Sequence, residues 1–93
     1  MLVGLLTLEL HFPQADSLKS KRLILRSLKD RIKNKFNVSI AEVDGNELWQ
    51  RSVLGVACVA NGAKVITQAL NGVRDMILNM PSVELLNSRI EML

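Results

Sequence analysis

Four segments of strand character and two of helical spacing, in the order strand, helix, strand, strand, helix, strand, predict an α+β domain. Two further observations narrow the architecture. The connections are short, and right-handed crossovers remove most other topologies for that order. What remains is a ferredoxin-like βαββαβ sandwich, a four-stranded antiparallel sheet with two helices on one face. The 93 residues make one domain, residues 1–93, a length that buries roughly 60–65% of the unfolded surface and sustains one modest core.

Each element has its own signal. In LVGLLTLELHF, residues 2–12, Leu6, Leu8, Leu10 and Phe12 alternate with Thr7, Glu9 and His11, as a half-buried strand requires. Pro13 ends it, and Asp16 or Ser17 supplies the N-cap of a helix running to about Phe36. Along that helix Leu18, Ile24, Leu25, Leu28, Ile32 and Phe36 share one face. NVSIAEVD (37–44) reads as a strand, DGNE as a turn, and LWQRSVLGVACVA (48–60) as the hairpin partner. Asn61-Gly62 breaks it. From about Ala63, residues Ile66, Ala69, Leu70, Val73, Ile77 and Met80 keep helical spacing until Pro81. Gly72 inside this helix costs about 1 kcal/mol relative to Ala, which close helix contact would offset. SVELLNSRIEML closes the chain as a strand.

Composition excludes several classes. The apolar start lacks a basic n-region and an A-x-A-like exit and carries Glu9 and His11, which argues against a targeting segment. No apolar run approaches the ~18 residues a membrane span needs. A single cysteine, Cys58, sits in an apolar run, reads as a small buried hydrophobe, and fits a reducing cytoplasm. One His, one Cys and no Tyr remove Cys/His nucleophile pairs and most zinc sites. Glu42, Asp44 and Glu47 near the hairpin turn read as a solvated turn before a cation site, and Arg51 is placed to pair with Glu42 across the hairpin. GAK at 62–64 lacks the P-loop pattern. No catalytic constellation, metal site or cofactor is expected.

Charge is the informative feature. The net charge of +3 conceals a local excess: residues 17–36 hold eight cations against Asp30, a net +7, while the remainder holds four cations and eight anions, a net −4. On a helical projection Lys19, Arg22, Arg26, Lys29 and Lys33 fall within an arc of about 80°. Like charges at these spacings repel by a few tenths of a kcal/mol per pair. Lys19, Lys21 and Arg22 also lie at the positive end of the helix dipole, where cations are disfavoured by roughly 0.3–1 kcal/mol each. A run of like charge is ordinarily a solvated face, but this placement runs against stability. With hydroxyls at Ser17 and Ser20 and free helix N–H groups, it suits phosphate. Lys21 falls amid the apolar face and is read as projecting past the sheet edge toward that anion.

The third strand is apolar or small on both sides, with Val53, Gly55, Ala57 and Val59 opposed to Leu54, Val56, Cys58 and Ala60. Two helices cover one side of a sheet, so the other predicts a homodimer or a protein partner, unless long Arg, Glu and Gln side chains shield it. The two central strands are read as offering Thr7, Glu9, Leu54 and Val56 on the open side, with no ring for bases to stack on. Trp49 reads first as an anchor for the hairpin or a second subunit, and second as a stacking or partner contact.

SLKSKR at 17–22, KFNVSIAEVD at 35–44 and WQRSVLGVA at 49–57 resemble the signature blocks of the YlxP-like proteins, small bacterial proteins of unknown function. The resemblance spans essentially the whole chain; Lys35 stands where Arg is more usual. It implies the ferredoxin-like fold and a cytoplasmic location. It also implies, through the family's gene neighbours in translation initiation and ribosome maturation, a ribosomal RNA or ribosome-associated partner, and no catalytic residues. The expectation is a non-enzymatic, dimeric protein binding the backbone of structured, ribosomal RNA through Ser17, Lys19, Lys21, Arg22, Arg26, Lys29 and Lys33, with Trp49 as a further partner contact. The competing expectation is an oligomeric protein-interaction module, using the apolar sheet face, with no nucleic-acid role.

Overall fold

The alternation Leu6, Leu8, Leu10 places three fully buried leucines on one side of a strand that becomes the middle of the sheet. The computed structural model describes residues 1–93, in six elements: β1 (Leu2–His11), α1 (Leu18–Lys35), β2 (Ser39–Asp44), β3 (Arg51–Ala60), α2 (Ala63–Leu78) and β4 (Glu84–Met92). The sheet order is β2-β3-β1-β4 with every neighbouring pair antiparallel, which is the ferredoxin-like arrangement. It follows that β1 and β2 run parallel with β3 between them, the geometry a helical crossover through α1 provides.

One cluster of 18 buried apolar residues fills the space between sheet and helices. Leu25, Leu28 and Ile32 from α1 and Ile66, Leu70, Val73 and Ile77 from α2 meet Leu54, Val56 and Cys58 from β3. Cys58 is thus a core residue. Two glycines set the approach distances. A Cβ on Gly4 of β1 would overlap Ile66 of α2, so α2 lies directly on the strand there. A Cβ on Gly72 would come within 2.6 Å of the Phe36 ring, the close helix contact that the mid-helix glycine implied.

Both edge strands carry one residue too many for their partner. Val43 is extra in β2, between the pairs Glu42↔Leu54 and Asp44↔Val53, and Leu86 is extra in β4, between Asn87↔Glu9 and Leu85↔Leu10. These are β-bulges, which twist an edge away from further pairing.

Three expectations need correction. β3 begins at Arg51, because Leu48–Gln50 belong to the connection from β2. Leu54 and Val56 face the helices, so the open side of β3 is formed by Val53, Gly55, Ala57 and Val59: the helical face claims the larger side chains. Arg51 lies beside Glu9 of β1, 3.8 Å away, and Glu42 turns to the opposite face of the sheet. No helix is long and apolar enough to cross a membrane.

Candidate nucleic-acid interface

The first turn of α1 forms because Ser17, in extended conformation, accepts the Ser20 N–H on its hydroxyl at 3.0 Å. The Ser20 hydroxyl in turn accepts the Asp16 N–H and donates to the Ser17 carbonyl. Both hydroxyls are therefore engaged inside the cap. The Ser20 hydroxyl is thereby used both as donor and as acceptor within the cap, while the Ser17 hydroxyl serves as the capping acceptor.

Lys21 departs from its expected role more sharply. Its side chain is 1% exposed, and its ammonium contacts the Glu42 carboxylate at 2.9 Å and donates to the Gly45 carbonyl at 2.6 Å. The Ser52 hydroxyl donates to the same Glu42 oxygen at 2.6 Å. This small network ties α1 to β2, β3 and the turn between them. A buried cation demands such partners, since an unpaired one would cost several kcal/mol. Lys21 is thus withdrawn from solvent and cannot reach an external phosphate. The signal was present in the sequence: Glu42 lies in phase with buried Ile40 on β2, a charge on the inward side of a strand awaiting a counter-ion.

The remaining cations stay outside. Arg22, Arg26, Lys29 and Lys33 line one cleft of about 340 Å³ beside β2, together with Leu25, Asp30 and Glu42. Their spacing of four, three and four residues keeps them on one stripe of the helix. None of the four forms an ion pair with the protein's own carboxylates, whose pairings are His11–Glu84, Lys21–Glu42, Arg51–Glu9 and Arg89–Glu91. Lys19 is exposed but does not line the cleft. Arg31 and Lys35 lie toward α2, lining a groove with Phe36, Gly72 and Asp75, and the Lys35 ammonium sits 5.8 Å from the Phe36 ring centre.

Trp49 lies in the β2–β3 connection and is 55% exposed. Within the chain, the loop is tied down by its neighbour Gln50, which sequence reasoning passed over. The Gln50 side-chain amide donates to the carbonyls of Pro13 and Ala15, and the Gln50 backbone carbonyl accepts the Phe12 N–H at 2.8 Å. Glu42, Asp44 and Glu47 do not gather into a group able to hold a metal ion: Glu42 faces Lys21, and Asp44 accepts the Gly45 N–H.

On the far side of the sheet, Leu5, Ala41, Val43, Gly55 and Ala57 border a shallow apolar groove of about 300 Å³, and Val59 beyond it is more than half exposed. No aromatic ring lies on this face.

Residues 3–90 match the sequence profile of a family described as "Protein of unknown function (DUF503)". The uncharacterized protein YlxP of Bacillus subtilis (strain 168) is 34% identical over 90 residues, an alignment spanning 97% of this chain and 98% of that relative.

Proposed function

Because the chain belongs to this family of unknown function, we propose its role from its own charges: a non-catalytic, cytoplasmic protein that binds the phosphate backbone of structured RNA through the exposed face of α1. The observation carrying this reading is the cleft lined by Arg22, Arg26, Lys29 and Lys33, four cations on one stripe without internal partners. From Arg22 to Lys33 the stripe spans about 16 Å at 1.5 Å per residue. That is long enough to meet several successive backbone phosphates. A ribosomal target, and a place in translation or ribosome maturation, rest on the gene neighbourhood implied by the resemblance.

The test is binding of a ribosomal RNA fragment against salt. Four phosphate contacts predict a log K against log salt slope of about −3 to −4. Between 50 and 200 mM salt the affinity then falls about a hundredfold. The double substitution Arg22→Glu, Arg26→Glu abolishes binding at physiological salt. A slope near zero, or wild-type binding by that variant, sinks the reading.

The apolar groove on the open sheet face favours a second reading, association of two copies through that face. It lies across the sheet from the basic stripe, so the two readings separate cleanly. Val43→Glu and Val59→Glu then yield monomers by sedimentation without altering the salt slope. If the open face were the whole function, partner capture would survive Arg22→Glu, Arg26→Glu while RNA binding was never present.

A further inference from the structure

The connection from Gly45 to Gln50 is held at both ends against the start of α1. At one end the buried Lys21 ammonium bonds the Gly45 carbonyl at 2.6 Å, and the Leu48 N–H bonds the same carbonyl at 3.0 Å. At the other, Gln50 is tied to Phe12, Pro13 and Ala15, the last of these two residues before the Ser17 cap. Gly45 sits at φ +76°, a backbone conformation that favours glycine and fixes the direction of the loop. Trp49 lies between Leu48 and Gln50, so its backbone is held, and the residue is 55% exposed.

More than half of the Trp49 surface stays open to solvent. The chain's other two aromatic rings are placed differently: Phe12 is fully buried and Phe36 packs on Gly72. The loop that carries Trp49 is fixed beside the N-terminal end of α1, through Lys21 and Ala15, and the cation stripe begins at that same end with Arg22. A stacking surface beside a phosphate track is how proteins hold unpaired nucleotides. Bases inside a duplex are unavailable to it, because they already stack on each other.

We propose that Trp49 stacks on an unpaired base of the RNA whose phosphates run along Arg22–Lys33, so that this surface takes a duplex with a single-stranded end or bulge in preference to uninterrupted duplex. This deepens the RNA-binding reading above and rests on it. Lys21 is then a positioning residue: it holds the loop that presents the ring and touches no phosphate itself.

Trp49 is the chain's one tryptophan, so its fluorescence reports on the ring directly. Two RNA hairpins with the same twelve-pair stem, one blunt and one with a three-nucleotide 3′ overhang, are titrated into the full-length protein at 50 mM salt. The overhang hairpin is expected to quench the emission and the blunt one to leave it nearly unchanged. Trp49→Ala lowers affinity for the overhang hairpin about tenfold, leaves the blunt one unaffected, and keeps the salt slope. Trp49→Phe restores most of the loss. Equal affinity of Trp49→Ala and wild type for the overhang hairpin, with the salt slope intact, overturns this inference and leaves the backbone reading standing. Absence of salt-dependent binding to either hairpin overturns both. An emission shift that follows protein concentration without RNA, and is absent from the monomeric Val43→Glu, Val59→Glu variant, places the ring between two copies of the chain and likewise overturns it.

Discussion

Replacing Lys21 with Met keeps the aliphatic stem and removes the ammonium, which isolates the charge in the buried network. The loss leaves Glu42, whose side chain is 15% exposed, with the Ser52 hydroxyl as its remaining partner, and leaves the Gly45 carbonyl without its lysine donor. Removing one partner of a buried pair typically costs about 3–5 kcal/mol. Glu42 keeps some solvent and one strong hydrogen bond, so the expected cost lies at the lower end, about 3 kcal/mol. For a chain of this length each kcal/mol moves Tm by about 4–8 °C, so Tm should fall by about 15 °C. Urea denaturation followed by circular dichroism gives the free energy directly. Because the pair is buried, the loss should be nearly the same at 0.1 and 1 M salt. Adding Glu42→Leu to Lys21→Met removes the stranded carboxylate and should recover most of the stability. A cost below about 1 kcal/mol for Lys21→Met, the range of an exposed pair, would refute the reasoning, as would a double variant no more stable than the single.

Two other substitutions read the fold and the surface separately. Gly4→Ala drives a methyl into the Ile66 Cγ2 within the sheet–helix layer and should destabilise by about 2 kcal/mol in urea titration. Lys29→Gln removes repulsion from Arg26 and Lys33 and should raise stability by about 0.5 kcal/mol at low salt, while the RNA salt slope drops by about one unit. A variant that gained stability and kept its RNA affinity would mark the stripe as a solvated face.

The elements were legible because each follows a single dominant period. Alternation in β1, the spacing of Leu25, Leu28 and Ile32 in α1, and the Asn61-Gly62 break before α2 left little competition among local signals. Gly72 was legible as a contact because a mid-helix glycine is unfavourable unless something needs the space. The orientation of β3 was not, because its two sides are almost equally apolar, and only the register with β1 and the position of the helices decide which side is inward. The network around Lys21 was half legible: its angle on the apolar side of α1 showed a conflict, but the partner that resolves it is 21 positions further on and reaches it only through the tertiary fold. Trp49 and Gln50 show the same limit. The large aromatic looked like the anchor, yet a glutamine amide finds two carbonyls that the indole, with one donor, cannot bridge.

The surplus residues Val43 and Leu86 bear on how this protein behaves when crowded. A molecule approaching either rim edge-on would find the ladder of donors and acceptors out of step part-way along, so a continuous ribbon built from one copy after another is disfavoured at both ends of the sheet. The two register shifts therefore act against edge-to-edge growth at both margins of the sheet.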